Sequence, residues 1–277
     1  MNTMSWMGAA VVALVLIGGV ADAQPLASRV VSQPDGAEMV VVPEGSFTFG
    51  AKQEEIKALL KKLKAGWADI YAGEHKKQTV TLPAFYIDRL EVTNEQYNRF
   101  VGAAKGKPSR FARYPQLNAP KQPVVGIGWK DAEAYCRWSG KRLPTEEEWE
   151  KAARGTDART WPWGNESDEK AFNGKAAEYS APVAVGSFPR GDSTYGAADM
   201  AGNVWEMTSS TWQGDAKTMR GGSFLNRLAD VRVTVRWAPD DPSRGTNWLG
   251  FRCAVDAGMA QTLYGKPSPA EPAKKGP

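Results

Sequence analysis

From Thr156 to Ala257 the chain offers no segment long or regular enough for an extended helix or a broad sheet. Glycine, proline, aspartate, asparagine and tryptophan dominate this stretch, and its apolar runs are short. Such a chain folds only if its loops are pinned to a core. Tryptophan is suited to that, because each indole buries about 150–250 Å². The chain has 11 tryptophans, several beside glycine or a charge: Trp161-Pro162-Trp163-Gly164-Asn165, Val204-Trp205-Glu206 and Trp248-Leu249-Gly250. Most of them read as loop anchors rather than ligand platforms.

The first half is more periodic. Met39 to Val42 is a β-type run ended by Pro43 and a Glu44-Gly45 turn; Ser46 to Phe49 then alternates and closes on Gly50, which suggests a hairpin. Gln53 to Leu63 reads as a helix, with Ile56, Leu59, Leu60 and Leu63 at spacings of three and four. Thr79–Leu82 and Phe85–Ile87 read as strands flanking Pro83. Thr93 with Gln96 forms a capping box, and Tyr97, Phe100 and Val101 give the following helix an apolar face. A third helix opens at Trp129 and runs through Trp138. A fourth is capped by Thr145, has Glu146-Glu147-Glu148 in its first turn and stops at Gly155. Helices lie early and loops with short strands lie late, so the class is α+β and loop-rich.

Residues 1–23 read as a cleaved export signal: an apolar run from Ala9 to Val20, then Ala21-Asp22-Ala23 as a small-x-small site. The run is short for a bilayer anchor, which needs about 20 apolar residues. No Lys or Arg precedes it, which leaves an uncleaved anchor or a misplaced start codon as the alternative. The organisation expected is signal 1–23, lead-in 24–37, one domain 38–257 and a disordered tail 258–277, with a periplasmic or secreted location and no integral membrane segment after cleavage. Lysines and arginines are interspersed with acids, which gives no basic patch for nucleic acid.

The chain has one histidine, His75, in a polar stretch that reads as an exposed loop. One imidazole excludes His-rich iron sites and most catalytic zinc sites. There are two cysteines, Cys136 and Cys253, and an even count in an exported chain suggests a disulfide.

Seven segments occur in a family-like order. They are Met39–Gly50 (MVVVPEGSFTFG), Phe85–Phe100 (FYIDRLEVTNEQYNRF), Pro123–Gly155 (PVVGIGWKDAEAYCRWSGKRLPTEEEWEKAARG), Trp163-Gly164-Asn165, Val185–Thr208 (VGSFPRGDSTYGAADMAGNVWEMT), Arg220–Phe224 (RGGSF) and Leu249–Ala254 (LGFRCA). Together they resemble the formylglycine-generating enzyme, or sulfatase-modifying-factor, family over about Met39 to Asp256. The resemblance implies a loop-rich α+β fold related to C-type lectins. It also implies an oxidase that holds copper(I) with two cysteines just after the Gly-Gly-Ser motif; thiolates suit that soft ion. Here Asn226 stands at the first cysteine position and the second falls near Val231, so no copper is expected. A related branch holds iron with three histidines, which one histidine excludes.

The resemblance therefore points to the branch with neither metal centre, to which an exported pyoverdine-maturation protein and a periplasmic regulator of secretion belong. The function it implies is a periplasmic binding, accessory or maturation protein for an exported protein or a peptide-like partner. The alternatives are an enzyme of altered oxidative chemistry on a peptide or siderophore-like substrate and, disfavoured, a true formylglycine-generating oxidase. Carried over by position, Ca²⁺ would be held by Asp199, the carbonyls of Gly202 and Val204, and Glu206; the other reading is that both carboxylates accept loop amides. Asn173 matches one residue of a second, poorly kept calcium site. The family groove would be lined by Trp212, Ser223, Asn226, Arg232, Arg236 and Trp237. Equally, Arg232 and Arg236 could pair with Asp230, Asp240 or Asp241. Family cysteines matching Cys136 and Cys253 form a disulfide.

Overall fold

The computed structural model describes residues 26–264, except 67–70, 72, 178, 213, 239–240, 242 and 244. The expected signal and the end of the tail, residues 265–277, lie outside the described residues. Among the described residues no helix is long and apolar enough to cross a membrane.

Two strands buried on both faces organise the first half. β2 (Glu38–Val42) and β5 (Phe85–Asp88) pair antiparallel at the centre of a four-stranded sheet, flanked by β1 (Arg29–Val31) and β10 (Ala254–Asp256). Val40, Val42, Phe85 and Ile87 face the helix capped by Thr145; Met39 and Tyr86 face the C-terminal one. This burial on both faces overturns the hairpin expected between Met39–Val42 and Ser46–Phe49. β3 (Gly45–Phe49) leaves β2 at Gly45, which sits at φ +127°, and pairs instead with β4 (Gln78–Leu82).

The lead-in 24–37 likewise contains order that its sequence hid. Arg29–Val31 is the edge strand β1, because Val30 finds Met39 and Tyr86 to pack on. The tail expected to begin at 258 instead starts as a helix, Ala257–Tyr264. Ala257, Ala260 and Tyr264 pack on the same cluster, and the Tyr264 hydroxyl donates to the Ser139 carbonyl at 2.8 Å.

The other helices are α1 (Gln53–Lys62), α2 (Asn94–Ala104), α3 (Trp129–Trp138) and α4 (Glu146–Arg154), so the C-terminal one is α5. The expected Thr93–Gln96 and Thr145–Glu148 capping boxes both form. α4 departs from ordinary amphipathicity: eight of its nine residues are buried, charges included. The second half contributes a four-stranded sheet in the order β8 (Arg236–Trp237), β7 (Lys217–Arg220), β6 (Trp205–Thr211), β9 (Leu249–Gly250).

Cys136 on α3 and Cys253, just before β10, form a disulfide that spans 117 residues, and neither cysteine is free. Next to it the Lys141 ammonium lies fully buried, 2.6 Å from Asp35 and 2.8 Å from Asp88, while the Tyr135 hydroxyl also donates to Asp35. This cluster ties the β1–β2 turn and β5 to the segment after α3. Closing so long a loop stabilises by about 4–5 kcal/mol on the chain-entropy account. Unreduced, denatured protein should therefore show no titratable thiol, and Cys253→Ser should lower the melting temperature by several degrees. Two reactive thiols in periplasmically expressed material would refute the pairing.

Candidate functional site

The tight turn after β7 carries Asn226, and Val231 follows it; these are the two residues that the resemblance sets at the thiol positions. Gly222 sits at φ +77°, and a Cβ there would lie 2.7 Å from Val231 Cγ1, so the Gly-Gly pair is required where the turn closes on Val231. Val231 itself is fully buried with Trp161, Phe172 and Leu228. Asn226 is half-buried. Its Oδ1 accepts from the Ser223 amide at 2.9 Å, the Ser223 hydroxyl at 3.0 Å and the Trp205 indole N–H at 3.1 Å. With three donors on one oxygen, the amide at the first cysteine position is a structural brace of the turn.

Above this turn lies a shelf of indoles. Trp237 stacks on Trp248 with centroids 5.8 Å apart at 15°, and meets the edge of Trp205 at 6.1 Å. Trp237 is 44% exposed, and Leu225 beside the turn is 55% exposed. Register puts Trp237 opposite Met219, and its neighbour Arg236 opposite Arg220, on the other face of the sheet.

The six residues expected along one groove therefore divide. Ser223, Asn226 and Trp237 gather around Trp205. Arg236 turns away and makes a bidentate pair with Glu146, both bonds 2.7 Å, with its guanidinium 4.1 Å from the Trp212 ring centroid. Arg232 is buried against Glu74, at 2.6 and 3.2 Å, and lies over Tyr71. Both arginines are structural, but with different partners from those expected: Asp230 pairs with Arg227 and Tyr71, Asp241 caps Ser243, and Asp240 lies outside the described residues. His75 is not a free surface residue either. Its Nε2 is 3.2 Å from Glu146, and its ring centroid is 4.7 Å from Phe49.

The expected calcium loop curls as its sequence requires, with Asp199 and Asn203 at positive φ. Asp199 Oδ2 accepts the Gly186 amide at 2.6 Å. Glu206 is fully buried; Oε2 accepts Arg252 Nε and Trp149 Nε1, and Oε1 accepts Arg252 Nη2. A third carboxylate, Glu91, holds the Asn203 side-chain amide and the Val204 N–H. Three buried carboxylates thus surround one guanidinium. That excess suits a divalent cation, and Glu206 Oε1 and Asp199 Oδ1 keep lone pairs to offer one, although no three His, Cys, Asp or Glu side chains of the described residues converge as a ready-made metal cluster.

Burial pushes Asp199 up to about 6. Glu91 rises well above the carboxylate range through burial and then the charges of Asp199 and Glu206.

Residues 24–257 match the sulfatase-modifying factor enzyme 1-like domain. The chain belongs to the sulfatase-modifying-factor family. It is 34% identical to the mouse inactive C-alpha-formylglycine-generating enzyme 2, covering 67% of this chain and 80% of that protein. It is 30% identical to the formylglycine-generating enzyme of Thermomonospora curvata, covering 79% and 93%. Among solved structures, PvdO from Pseudomonas aeruginosa superposes with a TM-score of 0.68 at 26% identity, over 84% of this chain and all of that one. Treponema denticola variable protein 1 shares the fold at a TM-score of 0.63 and 21% identity. The fold is the family's loop-rich α+β one, with its relation to C-type lectins.

Sequence reasoning misses three residues of this region although they lie inside its motifs: Glu91 in Glu-Val-Thr, Trp205 in Asn-Val-Trp-Glu and Arg252 in Gly-Phe-Arg-Cys. Trp248 is the fourth, and it gives no signal beyond being a tryptophan near a glycine.

These carboxyls set a pH dependence. Burial also pushes Asp88 up to about 6. The folded chain therefore holds protons that an unfolded chain, titrating near 4, has released. Stability then falls as pH rises through the window from about 4 to 6, and further as Glu91 ionises. Glu146 is held down to about 2: against the upward push of burial stand the hydrogen bond from His75 and the guanidiniums of Arg220 and Arg236. It is ionised in both states here and adds no slope. In metal-free buffer the protein should lose on the order of 1–3 kcal/mol between pH 5 and pH 7. Denaturant unfolding across that range checks this, and a flat or rising profile contradicts it.

Proposed function

We propose that this family member is exported through a cleaved leader and acts in the periplasm as a binding, accessory or maturation protein for an exported protein or peptide-like partner, without copper chemistry. The observation that carries this reading is the Asn226 turn: the position of a metal-binding thiolate is an amide whose oxygen is consumed by three internal donors, and Val231 is sealed in the core. Both cysteines are joined to each other. What the turn presents outward is the Trp237–Trp248 shelf, a surface for stacking and apolar contact. The similarity to the mouse relative named as an inactive formylglycine-generating enzyme supports the same reading.

A photo-crosslinking residue at Leu225, exposed beside the shelf, should capture a discrete periplasmic protein or peptide, and Trp237→Ala in that background should weaken its recovery at least several-fold. The same protein, supplied with copper, should leave a Cys-x-Pro-x-Arg peptide unconverted. Formylglycine formation at an enzymatic rate would overturn the proposal. A second reading, an enzyme acting on a peptide or siderophore-like substrate, draws on the same exposed shelf and on the similarity to PvdO. Capture of a small molecule that leaves chemically altered would favour it.

Ca²⁺ enters this proposal as a structural ion. Asp199, Glu206 and the carbonyls of Gly202 and Val204 would hold it, its charge offsetting the carboxylate excess around Arg252. A ligand that binds the native state alone stabilises it by mass action. Excess chelator should lower the melting temperature by a few degrees in wild type and much less in Asp199→Ala. An identical melting curve with and without chelator in the wild type would sink the assignment.

A further inference from the structure

Over the chain as a whole basic and acidic residues alternate, but between Glu95 and Asp131 there are seven basic residues and no acidic one. Arg99 pairs with Glu95, and Lys121 lines a separate cavity with Asp35, Glu38 and Glu95. The other five, Lys105, Lys107, Arg110, Arg113 and Lys130, are exposed, and among the described residues none of them forms an ion pair. Four of these stand on the connection between α2 and α3. So long a connection without regular structure is unusual in a compact domain unless it has work to do. This one is held in a fixed shape. The buried Ser109 hydroxyl donates to the Val125 carbonyl at 2.6 Å and accepts the Phe111 N–H; the Arg110 N–H donates to the Gly126 carbonyl; the Tyr97 hydroxyl donates to the Lys107 carbonyl at 2.9 Å.

Beside this loop lies a cavity of about 540 Å³. Lys107 forms part of its wall, with Trp129 and Lys130 from the start of α3 and Lys217 from β7. The Trp129 indole N–H is spent on the Thr208 carbonyl at 2.7 Å, so the indole offers the cavity its ring. The Lys217 ammonium lies 4.4 Å from the centroid of that ring and donates to the Ser209 carbonyl at 3.3 Å; no carboxylate of the described residues pairs with it. Two acids complete the wall: Asp131, which accepts the Gly128 N–H, and the exposed Asp215. Three ammoniums thus face two carboxylates at the cavity, and Lys105, Arg110 and Arg113 enlarge the excess on the loop beside it.

We propose that this cavity and the loop dock an acidic peptide segment, with one apolar side chain entering against Trp129 and flanking carboxylates meeting Lys107, Arg110 and Lys217. Exposed ion pairs are individually weak, so the apolar anchor is what turns a cationic surface into a binding site. A loop already held in one shape loses little entropy on binding. Asp215 suits a peptide, whose backbone N–H groups it can accept, and repels the uniformly negative surface of an anionic bilayer. No residue of this surface belongs to the indole shelf, so its failure would leave the partner reading of the shelf standing.

The test adds the full chain to fluorescein-labelled Glu-Glu-Phe-Glu-Glu and follows anisotropy. Binding should saturate with a midpoint in the micromolar range and weaken as chloride rises, because salt screens exposed charges. Glycine in place of the phenylalanine should raise the midpoint about ten-fold through loss of the buried side chain. Lys107→Gln combined with Arg110→Gln should raise it about five-fold and leave the melting curve that of the wild type, since both side chains are exposed and unpaired. Absence of saturation would overturn the proposal, as would equal midpoints for the two peptides, which bare charge attraction gives, or a midpoint unchanged in the double variant. Retention of the chain on phosphatidylglycerol vesicles, lost in the double variant and with no peptide binding, would assign the surface to a membrane instead.

Discussion

The β3–β4 pair and the second-half sheet both hang on one buried charged helix. α4 is buried along nearly its whole length with its carboxylates and basic residues inside, which is tolerable only when each charge meets a fixed partner. Glu146 holds Arg220 of β7 and Arg236 of β8; Glu150 holds Arg220 again and the Gly50 amide that closes β3. Lys151 donates to the carbonyls of Pro43 and Gly45, and Arg154 to those of Thr48 and Gly50. One helix therefore fixes the position of the β3–β4 pair and of the sheet that carries the indole shelf. Removing one partner would leave a buried charge uncompensated, at about 3–5 kcal/mol. Its loop-rich surroundings have little regular structure with which to absorb that.

This arrangement explains how the family's fold can persist without its thiols. Asn226 and Val231 sit on a turn that closes through Gly222, and neither touches the α4 network. Exchanging a thiol for an amide there costs little, provided that the new oxygen is satisfied. Ser223 and Trp205 satisfy it. The turn is thus kept by neutral hydrogen bonds, its own and those to Trp205, Gly202, Asn203 and Lys175, while the scaffold beneath it is kept by ion pairs made elsewhere.

The elements that read clearly in the sequence are those whose signals are local. Thr93 and Thr145 announce helix starts because a cap needs only the next three residues, and the Ile56–Leu60 spacing announces α1 for the same reason. The parts that did not read depend on partners far away in the chain. Arg29–Val31 is a strand only because β2 offers an edge, and α5 is ordered only because Met39 and Tyr86 leave a surface for Ala260. Arg232 and Arg236 looked like groove residues because arginine beside tryptophan suits a ligand. Their true partners, Glu74 and Glu146, lie 158 and 90 residues away. The shelf is half legible: Trp237 reads as a groove residue, but Trp205 and Trp248 look in sequence like any other loop anchor.

The two halves of the interior are charged in opposite senses. Around Arg252, three carboxylates, Glu91, Asp199 and Glu206, face one guanidinium; around α4, three guanidiniums share Glu146 and Glu150. Trp149 stands between them, its indole N–H donating to Glu206 and its ring lying 5.5 Å from the Arg220 guanidinium. A single aromatic side chain thus presents its positive edge to the acidic cluster and its negative face to the basic one. The two clusters cannot neutralise each other directly, because Trp149 fills the space between them. The Ca²⁺ proposed above would balance the acidic one.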